Sequence, residues 1–341
     1  MEVWQMGASQ EKQNKLGGNW ACKDLILWLY WRPFASVVQK CPTFLFYGIA
    51  RLLTHIFKFL ARTYCHRLSH ELTVVFGNDL STEKRKRMIQ EACFVYICNE
   101  LEVLRFPALN SENVAAHIEL VGAEHIGQGL KQGKGVMLLF AHFGANQMVM
   151  PAMGYRGYTM NQMGIPATAG IDTYAHRQLS RMEKFSYEKR WEHEQSLPAN
   201  HINVLGSLKK AFLCLRSNEV LGIALDGAGG EIWAQVPFLG RKAQFSYGAL
   251  DIGWRSGAVI LPTFVVRGKN GRNTMQVLEP LRLDTRLDKQ EALLAATGEF
   301  AGILEQFVLE HPGHYLNFLL LRSFKSKQNI GAMPLFPGDD E

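Results

Sequence analysis

Gly135-Val-Met-Leu-Leu-Phe-Ala-His142-Phe-Gly-Ala-Asn-Gln147 is the stretch on which the reading of this chain turns. An apolar run over residues 136–141 ends at His142, and a small-residue turn then leads into a helix-compatible segment. Continuous apolar runs of this length suit strands buried on both faces of a parallel sheet, and such sheets bind ligands at the carboxyl ends of their strands. A histidine at that end is placed to act as a base. Five positions on stands Gln147, a hydrogen-bonding but uncharged side chain.

The segments around it alternate between helical and strand patterns. Ser81-Thr-Glu83 caps a helix expected over 84–104, and a short helix over 123–132 precedes the Gly133-Lys-Gly135 turn. Further on come a helix at 146–153, a strand near 158–163 and a charged, helical insertion at 172–200. A helix near 207–216 leads to a strand at 220–225, which closes on Asp226 and the loop Gly227-Ala-Gly229-Gly230. The remainder is expected as a helix at 247–255, a strand at 258–266, a Lys269-Asn-Gly271 hairpin turn, a strand at 274–277, a helix at 289–310 and a strand at 315–321. This alternation implies an α/β fold: a single domain with a mostly parallel sheet covered by helices on both faces, preceded by amphipathic N-terminal helices. The expected divisions are a poorly ordered 1–20, interface helices at 21–70, the main domain at 71–328 and a tail at 329–341.

At 341 residues, 47% hydrophobic and 20% charged, the chain has the composition of a folded globular protein. The net charge of +6 favours an anionic partner. Its six cysteines are scattered, without CxxC pairs or zinc spacing, and read as reduced, mostly core thiols. No metal site is expected. No dinucleotide fingerprint, P-loop or GxSxG elbow occurs, and the aromatic residues are not interleaved with Lys/Arg as in nucleic-acid modules.

Residues 1–20 carry no apolar run before a cleavage site, so no secretory signal is expected. Crossing a bilayer takes about 20 predominantly apolar residues. The best region is interrupted by Arg32, Lys40, Arg51, Lys58 and Arg62, and a spanning helix is not expected. Arg51, His55, Lys58 and Arg62 recur at helical spacing beside Phe44, Leu45, Leu52, Ile56, Phe59 and Leu60, and no Asp or Glu occurs over 25–70. A strongly apolar helix with a cationic stripe suits an anionic membrane surface, with Trp28, Tyr30 and Trp31 at headgroup depth.

The run Gly133-Lys-Gly-Val-Met-Leu-Leu-Phe-Ala-His142-Phe-Gly-Ala-Asn-Gln147 resembles the "GKGVILLTGHFGNWE" block of the bacterial lipid A biosynthesis (lauroyl/myristoyl) acyltransferases, of the lysophospholipid-acyltransferase-like superfamily. Val220-Leu-Gly-Ile-Ala-Leu-Asp226, Val236-Pro-Phe-Leu-Gly240, Gly248-Ala249, Gly257-Ala-Val-Ile-Leu-Pro262 and Leu278-Glu-Pro280 follow in that family's order, and Asn99-Glu100-Leu-Glu-Val-Leu-Arg-Phe-Pro107 fits upstream. The likeness covers roughly residues 45–325. Two departures stand out: Gln147 replaces the motif's carboxylate, and Tyr315-Leu-Asn-Phe-Leu-Leu-Leu-Arg322 replaces a Trp/His-rich segment.

The resemblance implies transfer of a fatty acyl chain from acyl carrier protein or coenzyme A to a hydroxyl or amine of a lipid or glycolipid acceptor. That thioester is a co-substrate, and no other cofactor is implied. The family's usual N-terminal spanning anchor is replaced here by broken amphipathic stretches, so the expected placement is peripheral, at the cytoplasmic face of the bacterial inner membrane. His142 takes the role of general base, Gln147 and Asp226 support it, and Gly144, Asn146, Arg177, Arg181, Gly229, Phe238 and Gly240 are candidates for substrate binding. An amide orients an imidazole but does not neutralise its cation; in a serine protease the same change costs on the order of 10⁴ in rate. Three readings stay open. Gln147 suffices or Asp226 substitutes for the carboxylate; the acceptor is a stronger nucleophile; or the chemistry is lost and the protein binds lipid or an acyl carrier at the membrane.

Overall fold

The computed structural model describes residues 19–77, 80–173, 179–227, 230, 232–327 and 333–337. The poor order expected of residues 1–20 lies outside the described residues up to residue 18, and Asn19 and Trp20 open a helix.

A seven-stranded sheet runs in the order β1-β9-β8-β2-β5-β3-β4. Its strands are β1 (Ile118–Val121), β2 (Val136–Phe140), β3 (Met160–Gly164), β4 (Ala199–Asn203), β5 (Val220–Ala224), β8 (Val259–Arg267) and β9 (Asn273–Val277). β8, β2, β5, β3 and β4 are mutually parallel; the hairpin after β8 reverses β9, and β1 follows it. A separate antiparallel hairpin holds β6 (Trp233–Phe238) and β7 (Arg241–Ser246). Among the described residues, seven helices have eleven residues or more: α1 (Asn19–Leu29), α2 (Thr43–Leu60), α3 (Arg62–Phe76), α4 (Thr82–Arg105), α5 (Arg181–Gln195), α6 (Lys289–Glu310) and α7 (Leu316–Lys327).

Successive side chains of a strand point to opposite faces, and β2 divides its residues accordingly. Met137 and Leu139 join one core with Leu293, Phe300 and Leu304 of α6. Val136, Leu138 and Phe140 join another with Phe46, Tyr47 and Ala50 of α2 and Leu101 and Leu104 of α4. The sheet is thus covered on both faces, and the N-terminal helices share a core with it. A third cluster holds Leu68 and Leu72 of α3, Met88 of α4, and Leu316 and Leu320 of α7.

The segment expected as a strand at 315–321 is the helix α7. A short apolar run does not by itself distinguish a buried strand from a buried helix. The outcome shows in the 315, 318, 322 spacing, which brings three side chains to one side. β1, β4 and the β6–β7 hairpin were not foreseen. That hairpin turns at Leu239 (φ 53°) and Gly240 (φ 72°), both left-handed as tight hairpins require. A leucine there carries no turn signal.

By length and composition α2 and α6 could each cross a membrane, α2 because only two charges interrupt it. α6 buries a face in the core, while α2 buries Phe46, Tyr47, Ala50, Thr54 and Phe57 and leaves Phe44, Leu52, Phe59 and Leu60 exposed. Two groups of its expected cationic stripe are bonded into the fold: Arg51 donates to the Lys269 carbonyl at 2.8 Å, and Lys58 to the Gln90 side chain.

Candidate active site

Register brings the central groups together. β2 and β5 pair with Phe140 opposite Ala224, and the Leu225 amide still donates to Phe140 O at 2.9 Å. Two residues beyond that pairing, His142 and Asp226 come level at the carboxyl edge of the sheet. The Asp226 carboxylate, fully buried, meets both the ring and the main chain of His142. Oδ1 lies 2.7 Å from the ring Nδ1, and Oδ2 accepts the His142 main-chain N–H at 2.8 Å. A carboxylate only accepts, so the proton of a neutral imidazole sits on Nδ1 and leaves the Nε2 lone pair free. The His142 side chain is 44% exposed, so that nitrogen has access to a substrate.

The C-terminal helix supplies the rest of the surroundings. The Tyr315 hydroxyl donates to Asp226 Oδ2 at 3.1 Å. Burial and the Asp226 charge push that hydroxyl well above its ordinary range, so it stays a donor. Arg322, 2% exposed, donates to the Asp226 carbonyl, to Gln244 O at 3.2 Å and to Met333 O at 3.1 Å. Phe318 stacks on His142, with ring centroids 4.6 Å apart and planes 2° from parallel. Sequence reading missed Tyr315 and Phe318 because it took this segment for a strand; the helical spacing of Tyr315, Phe318 and Arg322 was the available signal.

Gln147 stands elsewhere than expected. Its amide nitrogen donates to the Asn99 carbonyl of α4 at 2.6 Å, while Asp226 occupies the His142 ring nitrogen. The Asn99 side chain donates to Gly144 O at 2.9 Å and accepts from Arg267 at 2.7 Å. Arg267 makes a buried bidentate pair with Glu102, both contacts 2.7 Å. Gly144 has φ 60°, and a Cβ there would stand 2.0 Å from Val265 O, so only glycine fits this turn beside the base.

The remaining candidates scatter. Asn146 opens a 3-10 turn after the loop. Phe238 is fully buried against Phe245, Phe336 and Tyr315, a core residue in place of a binding surface. Gly240 forms the β6–β7 turn, and Arg181 is exposed in the first turn of α5. Arg177 and Gly229 lie outside the described residues.

Glu91, His311 and His314 gather with their ligand atoms within 4.8 Å of one another. His314 Nε2 accepts the Arg267 main-chain N–H at 3.0 Å, which leaves the proton on Nδ1, 3.1 Å from Glu91 Oε1. That arrangement is a close histidine–carboxylate contact, and with its proton on Nδ1 the ring does not offer that nitrogen as a metal ligand. Burial alone would raise the Glu91 carboxyl, yet the His314 donor holds it below its ordinary value.

A family model, bacterial lipid A biosynthesis acyltransferase, matches residues 19–326. The chain belongs to this family. It is accordingly an acyltransferase of the lipid A type, and the match starts at α1, so the N-terminal helices are part of the shared unit. No curated protein matches the chain.

Proposed function

We propose that this family member transfers a fatty acyl chain from an acyl carrier protein or coenzyme A thioester to a hydroxyl or amine of a lipid or glycolipid acceptor. His142 Nε2 takes the acceptor's proton as its oxygen or nitrogen attacks the thioester carbon. The thiolate of the donor then leaves as the tetrahedral intermediate collapses. Asp226 orients the ring and stabilises the imidazolium, the part that the motif position of Gln147 does not play. The observation carrying this reading is the in-register His142–Asp226 pair, with Nδ1 engaged at 2.7 Å and the opposite edge of the ring open.

The protein works at the cytoplasmic face of the bacterial inner membrane, held peripherally at an anionic surface. The exposed apolar side of α2, where Phe44, Leu52, Phe59 and Leu60 lie, supports that placement. The test is acyl transfer from labelled long-chain acyl carrier protein or coenzyme A to a bacterial lipid extract, with His142→Ala run in parallel. Labelled lipid formed by the wild type and lost in the variant supports the reading. Wild-type binding of acyl donor without turnover, on a panel of lipid acceptors, would instead identify a lipid- or carrier-binding protein.

A further inference from the structure

We propose that Phe318 is a positioning residue for the base: its ring face fixes the His142 imidazole and selectively stabilises the protonated form that arises as the acceptor attacks. This rests on the reading of His142 as general base. The two rings are parallel within 2° at 4.6 Å, and Phe318 is itself braced by the Tyr315 ring at 5.3 Å. Residues 315, 318 and 322 follow at steps of three and four, so one side of α7 and the residue just before it meet the whole pair. They bring a hydroxyl to the Asp226 carboxylate, a guanidinium to the Asp226 carbonyl and an aromatic face to His142.

The chemistry follows from where charge develops. An aromatic face is negative, and a cation over it is attracted. While the imidazole is neutral, the stack gives orientation and dispersion only. Once Nε2 has accepted the acceptor's proton, the positive ring lies over Phe318 on its face and beside Asp226 on its edge. Stabilisation that grows with proton uptake is stabilisation of the transition state. The titratable and charged groups that hydrogen-bond Asp226 are Tyr315, immediately before α7, and Arg322 of α7. His314 stacks on Phe143, the neighbour of His142, and pairs with Glu91 of α4.

The experiment follows the His142 ring by NMR titration in the full-length protein, in wild type, Phe318→Leu and Phe318→Trp, beside the pH profile of acyl-transfer kcat/KM. Leucine should lower the titration midpoint by about half a pH unit, a roughly threefold change in protonation, and tryptophan, a stronger cation partner, should raise it. The acid limb of kcat/KM should move the same way. A midpoint unmoved by either substitution overturns the proposal, even if transfer falls. A midpoint that moves as stated in a protein without transferase activity keeps the proposal and defeats the functional reading. Loss of packing would admit water to the ring and raise the midpoint, so the fall expected for leucine is what separates this role from a packing loss.

Discussion

The side-chain nitrogen of Gln147 lies 2.6 Å from the main-chain oxygen of Asn99, and this contact decides what residue 147 does. The amide is a strut between the His142 loop and α4. A carboxylate in its place would set an acceptor against an acceptor. Gln147→Glu should therefore lose stability by about 1 kcal/mol, the low end for a lost hydrogen bond because this contact is only partly buried, without a gain in transfer. Denaturant midpoints and acyl-transfer rates measured together check this. A faster, equally stable variant would show that residue 147 turns to serve His142.

Asp226→Asn should abolish most transfer while preserving the fold. The His142 main-chain N–H is a fixed donor to Oδ2, so the carbonyl end of the asparagine has to stay there. Its NH₂ then faces the ring Nδ1, which becomes an acceptor and leaves the proton on Nε2. The outward nitrogen loses its lone pair. The corresponding change in a serine protease lowers turnover by about 10⁴, and a loss on the order of 10³–10⁴ is expected here. Circular dichroism and steady-state rates decide it; a loss under tenfold would rule Asp226 out as the orienting acid.

Breaking the Arg267–Glu102 pair should be among the costlier single changes in the chain. Both side chains are almost wholly buried, 1% and 4% exposed. Glu102→Met leaves an uncompensated buried guanidinium, expected to cost about 3–5 kcal/mol. The double variant Glu102→Met/Arg267→Met removes both charges and should recover most of that loss in chemical denaturation. If the double variant is as unstable as the single, packing and not charge pairing explains the effect.

His117 makes stability fall in acid. It is 3% exposed, and burial, reinforced by Arg105, pulls it from its ordinary 6.5 down to about 4. The unfolded chain binds this proton first. The contribution is therefore complete above pH 6.5 and is lost as pH falls towards 4, by on the order of 3 kcal/mol. His117→Gln should flatten the dependence of the urea midpoint on pH across that window. An unchanged slope would locate the acid sensitivity elsewhere.

Both members of the central pair are visible in the sequence as polar residues closing apolar runs, His142 after β2 and Asp226 after β5. Their pairing is not, because it depends on the register that sets Phe140 opposite Ala224. Short strands were hardest to see. Ala199-Asn-His-Ile-Asn203 of β4 has neither alternation nor an apolar run, and it is an edge strand whose side chains are mostly not buried. The partner of Gln147 lies 48 residues upstream on α4, a distance no local pattern spans. The amphipathic α2, by contrast, was legible from composition alone, although two of its cations turned out to bond the fold.

Arg322 ties three points together: Asp226, the β7 residue Gln244 and Met333. Just past Met333, Leu335 and Phe336 fold back into the core, where Leu335 O accepts the Gln244 N–H at 2.7 Å. This has a temporal meaning. During synthesis, His142 and Asp226 leave the ribosome long before the segment that seats them, so a nascent chain carries the base and the acid without the assembled site. The contacts of Tyr315, Phe318 and Arg322 with the pair form only after residues 315–322 have emerged. Chains interrupted before that point keep the motif and lack these contacts.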